Sequence, residues 1–167
     1  MITNIDNIVN SNTTNETSAS GGLLYNKYIS KTITLAEGQD AEDMQVILTT
    51  YRPPSTDIKI YAKILNGSDT GVFAQAPWIE LIKKNGGDDL YSSLGNRNDF
   101  KEFVYGFSPA YMIGKGGVVR YTSNGVNYDG YKYFAIKIVL ISNTSTDTGL
   151  TNTAVVPRVA DLRCIAL

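Results

Sequence analysis

Asp57-Ile58-Lys59-Ile60-Tyr61-Ala62-Lys63-Ile64-Leu65 alternates without a break, with Ile58, Ile60, Ala62 and Ile64 on one side and Lys59, Tyr61 and Lys63 on the other. Successive side chains of a strand point to opposite faces, so this stretch reads as a strand with one face on a core and one face in water. Just before it, residues 45–51 are rich in β-branched side chains and read as a second strand. Between the two lies Arg52-Pro53-Pro54-Ser55-Thr56, whose prolines fix φ and remove ladder donors. The chain must reverse there, which predicts an antiparallel hairpin.

Working outward, residues 28–35 place Ile29, Ile33 and Leu35 on one face with Lys31 interrupting the row, the pattern of a strand near a sheet edge. Further strands are expected over residues 78–82, 100–107, 118–122, 131–141 and 162–167. The intervening Asn85-Gly86-Gly87 and Gly114-Lys115-Gly116-Gly117 favour chain reversal. Asn124-Gly125 and Asp129-Gly130 tolerate positive φ, so residues 118–141 read as two strands joined by a looped turn. Eight short strands without a sustained helical period give an all-β class, an antiparallel β-sandwich or jelly-roll-like fold.

Residues 1–24 are rich in Asn, Ser and Thr and end near Ser20-Gly21-Gly22, a composition too polar to offset ordering entropy. They read as a flexible N-terminal arm or linker ahead of one β-domain over residues 25–167. Ile2, Ile5 and Val9 fall at roughly helical spacing inside it, which allows a short amphipathic segment ordered only against a partner.

Composition narrows the chemistry. The chain has no histidine, which removes Ser/His and Cys/His triads, two-His zinc motifs and the usual neutral-pH proton shuttle. Fifteen Lys and Arg balance sixteen Asp and Glu with no basic cluster, so no nucleic-acid footprint is expected. Cys164 stands alone, so no intrachain disulfide can form, and its expected role is that of a small buried apolar residue. No Lys or Arg precedes Lys27, so no secretory n-region is read. The most apolar segment, residues 133–141, is interrupted by Lys137 and falls well short of the roughly 20 residues that span a bilayer. A soluble protein without membrane insertion is expected.

Several groupings could carry chemistry. The acidic loop Glu37-Gly38-Gln39-Asp40-Ala41-Glu42-Asp43 could gather oxygens around calcium, but it lacks EF-hand spacing and serves equally as a solvated turn. Asp88-Asp89, and Asn127 with Asp129, read as polar turns. Glu80 and Glu102 are the most plausible acids for a histidine-free glycosidase, although exposed positions of alternating strands account for both. Gly114-Lys115-Gly116-Gly117 lacks the Gly-Lys-Ser/Thr ending of a phosphate loop. Trp78, Tyr91, Tyr111 and Tyr128 could form stacking platforms for sugar or sit in interfaces, where a rigid ring with a polar tip serves well. No cofactor, metal or catalytic residue is assigned, and an enzyme is not expected.

The order of segments carries a resemblance of its own. Tyr28-Ile29-Ser30-Lys31, Gly38-Gln39-Asp40-Ala41-Glu42-Asp43, Tyr51-Arg52-Pro53-Pro54, Thr56-Asp57-Ile58-Lys59-Ile60-Tyr61, Asn98-Asp99-Phe100, Gly130-Tyr131-Lys132-Tyr133-Phe134-Ala135-Ile136-Lys137 and Pro157-Arg158-Val159-Ala160-Asp161-Leu162-Arg163 together resemble a domain of virion structural proteins of large tailed phages, many of them infecting marine bacteria. The likeness covers roughly residues 25–167. It implies a non-enzymatic role in a virion, made in the host cytoplasm, in a tail, baseplate, fibre or capsid-associated position. The implied partners are other virion proteins and further copies of the chain. The alternative is a receptor-binding module that recognises a host surface glycan through the loop aromatics named above.

Overall fold

A computed structural model describes residues 11–85, 90–144 and 154–167. Asp88-Asp89, Gly86-Gly87 and the Ile2, Ile5, Val9 row lie outside the described residues. The chain is all-β, and among the described residues it has one 3-10 turn at Phe73–Gln75. Its strands are β1 (Lys27–Ile29), β2 (Ile33–Thr34), β3 (Met44–Tyr51), β4 (Asp57–Leu65), β5 (Ile79–Lys83), β6 (Lys101–Gly106), β7 (Arg120–Ser123), β8 (Val126–Asp129), β9 (Tyr133–Ile141), β10 (Asn143–Thr144), β11 (Ala154–Val155) and β12 (Arg158–Ala166). Eight of them form one antiparallel sheet in the order β1-β9-β4-β5-β6-β3-β12, with β2 pairing β9 beside β1. The pairs β7-β8 and β10-β11 stand apart as small ribbons.

The large sheet curls into a half-barrel. Ile58, Ile60, Ala62 and Ile64 of β4 and Phe134, Ile136 and Ile138 of β9 share one core with Met44, Val46 and Leu48 of β3 and Phe103 and Tyr105 of β6. The two layers expected of a sandwich are thus the two halves of one sheet facing each other. Across this core the Tyr105 hydroxyl donates to the Ile58 carbonyl at 3.3 Å.

Four expectations need correction. First, β3 and β4 are not a hairpin: β3 lies between β6 and β12, and β4 between β9 and β5. The Arg52-Pro53-Pro54 turn does reverse the chain, but both strands send apolar rows into the same core, so they occupy facing halves of the sheet. Buried Arg52 holds this crossing in place, its N–H donating to Ser92 Oγ at 2.9 Å and its guanidinium to Asp57 Oδ1 at 3.0 Å.

Second, the face of β4 expected to be wet is mostly buried, since Tyr61 and Lys63 are 2% and 4% exposed. The cover comes from the third correction. Residues 11–24, expected as part of a flexible arm, pack over the outer side of β4 and β9, burying Leu24 with Tyr61, Trp78, Ala135 and Val139 in a second apolar cluster. Composition missed this because the segment is held by ion pairing and carbonyl contacts more than by apolar area.

The region after residue 118 contains one strand more than expected. Ser123 pairs with Val126, and the two residues between them, Asn124 (φ 50°) and Gly125 (φ 78°), make the tight positive-φ turn that suits a twisted hairpin. The chain then turns again at Gly130 (φ 71°) to enter β9. A Cβ on Gly130 would sit 2.8 Å from the Ala41 carbonyl oxygen, so this position needs glycine for space as well as for conformation.

Candidate functional site

Among the described residues, polar groups concentrate on the underside of the N-terminal strap, in a cleft beside β7, and in a groove of about 710 Å³ lined by Arg52, Asp57, Lys59, Glu80, Lys83 and Lys84. Under the strap, register places Lys137 of β9 opposite Tyr61 of β4, both on the outer face. Lys137 is fully buried and donates to Glu16 Oε2 (2.9 Å), the Glu16 carbonyl (2.5 Å) and the Gly21 carbonyl (3.0 Å). Its ammonium also lies 4.4 Å from the Tyr61 ring centre and 5.2 Å from that of Trp78. Glu16 accepts a further bond from the Leu24 N–H at 2.8 Å. Lys27 donates to the Gly21 and Gly22 carbonyls, and Lys63 to those of Ala19 and Ala74. Three lysines therefore satisfy the backbone oxygens of a short polar loop that has no ladder of its own.

The electrostatics follow. Burial alone would raise the Glu16 carboxyl, but the Lys137 contact and the Leu24 N–H outweigh it and hold the group below the usual carboxylate range. Burial pulls Lys137 down despite the Glu16 charge, and burial with the nearby Lys137 charge does the same to Lys63. These groups bond to one another and to nearby carbonyls, so the cluster anchors the strap to the sheet.

The cleft, about 630 Å³, is lined by Trp78, Tyr111, Tyr121, Asp69, Gln75 and Asn124 among others. Two of the four aromatics singled out in sequence, Trp78 and Tyr111, thus meet here, and Tyr128 backs the wall by stacking on Tyr121 at 5.5 Å. Tyr91 lies apart, its ring under the Arg52 guanidinium at 4.5 Å. Trp78 is only 5% exposed, with Lys63 5.0 Å from its ring centre, and its buried Nε1–H meets no acceptor. It is consequently no open stacking platform.

Sequence reasoning missed Asp69 and Tyr121, which give the cleft its polar wall. Burial would raise the Asp69 carboxyl, yet the Gly71 N–H (2.8 Å), the Tyr121 hydroxyl (2.9 Å) and Ser123 hold it below the usual range. The Asp69-Thr70-Gly71 turn was the available signal, since an aspartate accepting from the N–H two residues on is a common turn device.

The remaining groupings separate. The pairing of Ile82 with Gly106 puts Glu80 level with residue 108, six positions from Glu102, or about 20 Å along the sheet. Paired glycosidase carboxyls stand within roughly 10 Å of each other. Each glutamate instead meets a cation, Glu80 with Lys59 at 2.9 Å and Glu102 with Arg163 at 2.5 Å. In the acidic loop, Glu37 pairs with Lys132 and Asp43 caps the Met44 N–H, and no three potential metal ligands gather among the described residues. The Lys115 N–H of the glycine-rich turn faces the Asp129 carboxylate, which Arg120 also holds. An anion would be repelled there. Cys164 is half-buried beside the core, and burial pushes its thiol up to about 11.

Thirteen large apolar side chains are exposed among the described residues, and five of them fall within residues 23–33. Leu23, Tyr25, Tyr28, Ile29 and Ile33, each 41% exposed or more, lie in and just beside β1 and β2, with Tyr28 and Ile29 on opposite faces of β1. At the opposite border, Ile165 and Leu167 are exposed on and just beyond β12. Among the described residues no helix is long and apolar enough to cross a membrane. Comparison with family models, with curated proteins and with solved structures yields no match.

Proposed function

We propose that this chain is a structural component of a tailed-phage virion, a stiff block that works through protein-protein contacts. The observation that carries the reading is the set of exposed apolar side chains Leu23, Tyr25, Tyr28, Ile29 and Ile33 in and beside β1 and β2. Large apolar side chains exposed on a sheet border suit contact with a partner, and tyrosine is favoured in interfaces. The ordered residue series quoted above supplies the virion context. The spent charges support a binding role: Lys137, Lys63, Arg52, Glu80 and Glu102 all serve internal ties. The test is immunogold electron microscopy on purified particles of a phage encoding the chain. A label at one symmetric position is expected, and intact and disrupted particles that both stay unlabelled overturn the proposal.

The cleft beside β7 favours one second reading, recognition of a host surface glycan. Tyr111 and Tyr121 offer ring faces, and Asp69, Gln75 and Asn124 offer hydrogen-bonding groups suited to sugar hydroxyls. Saturable binding to a defined glycan on an array, lost with Tyr111→Ala, supports it. Silence across the array leaves the assembly role alone.

A further inference from the structure

Among the described residues β12 ends the sheet path, pairing β3 on one side only. Leu167 and Asp43 exchange both backbone hydrogen bonds, each at 3.0 Å. Because an antiparallel ladder alternates, residues 161, 163 and 165 also turn their N–H and C=O groups toward β3. The same groups of Leu162, Cys164 and Ala166 then point away, along the open border. On the outer face of this strand stand Asp161 and Arg163, both more than half exposed at the side chain and 3.2 Å apart. Beside the border an apolar groove of about 380 Å³, lined by Tyr28 of β1 with Ile138, Leu140, Val159 and Leu162, separates β12 from β1.

We propose that β12 pairs antiparallel with β12 of a second copy, in a two-fold register centred on Leu162. Three facts about one strand select this occupant. First, Leu162 has outward-pointing backbone groups, so two copies can exchange a pair of hydrogen bonds there. Second, the two-fold axis places Asp161 opposite Arg163 of the other copy, and Arg163 opposite its Asp161, giving two opposite-charge cross-strand pairs. Third, the neighbouring registers are disfavoured. Centring on residue 161 sets aspartate against aspartate, and centring on residue 163 sets arginine against arginine. Arg163 also meets Glu102 within its own chain, and a guanidinium has five N–H donors, enough to hold both carboxylates.

The bulge between Val159 and Asp161 limits the new ladder to its central residues. The contact is isologous, so it closes at two copies and consumes the β12 border instead of propagating. This dimer does not depend on the virion reading, and its test uses no particle.

The experiment is sedimentation analysis of the full chain across a range of concentrations. The wild-type chain is expected to dimerise. Arg163→Asp and Asp161→Arg each replace two attractions with two repulsions and should weaken the dimer about tenfold or more. An equimolar mixture of the two variants restores both pairings and should recover the dimer, as should the double charge swap. Circular dichroism of each variant distinguishes loss of pairing from loss of fold. A wild-type chain that stays monomeric overturns the proposal, whether or not its border takes a strand from another protein. So do single variants that dimerise as well as wild type, or a mixture that fails to recover.

Discussion

At the residue scale, the most consequential side chain is Lys137, a charge in the middle of the most apolar strand. Removing one partner of a buried ion pair leaves the other uncompensated, which costs about 3–5 kcal/mol. Glu16→Gln keeps the shape of the partner and removes its charge, so urea unfolding at neutral pH should show a loss of that order. The Glu16 carboxyl is depressed in the folded chain, so its contribution is present above the unfolded-state value of about 4.3 and fades as pH falls through the lower folded value. The gap between wild type and Glu16→Gln should therefore narrow in acid. An unchanged gap at low pH would show that hydrogen-bond geometry, not charge, holds the strap. In sequence, Lys137 reads only as an interruption of an apolar run, because its counter-charge lies 121 residues away in a segment of polar composition.

At the element scale, strands were more legible than their neighbours. The alternating row of β4 and the β-branched content of β3 mark both strands correctly, since period and side-chain type are local properties. Their pairing was hidden, because it depends on which apolar faces must share a core and on the buried ties of Arg52. The β7-β8 turn was half legible: Asn124-Gly125 announces a reversal, yet the strands flanking it are four residues each and carry little apolar pattern. The two glycines nearby make a graded test. Gly125→Ala meets open space and should cost about 1–2 kcal/mol for its left-handed backbone. Gly130→Ala pays the same penalty and also drives a methyl against the Ala41 carbonyl, so it should destabilise more in thermal melts. Equal losses would mean that the Ala41 contact yields at no cost.

At the scale of the whole molecule, the all-β class was legible and the single curled sheet was not, because curling follows from how strands are ordered and not from any one of them. The cleft was partly legible: Trp78, Tyr111 and Tyr128 do converge near it, while Tyr91 serves Arg52 instead. The apolar border gives a prediction at this scale. Tyr25 is 82% exposed and Ile29 47%, so Tyr25→Glu combined with Ile29→Glu should leave stability within about 0.5 kcal/mol per site. The same change should sharply reduce incorporation into particles, measured by quantitative mass spectrometry. Normal incorporation would move the contact elsewhere on the surface.

The main path of the sheet holds seven strands joined antiparallel throughout, from β1 to β12. An odd count leaves the first and last pointing the same way, so the borders cannot zip together as an antiparallel pair. Joining them would take a parallel ladder, so among the described residues the half-barrel keeps two free borders that face each other across the groove between β1 and β12.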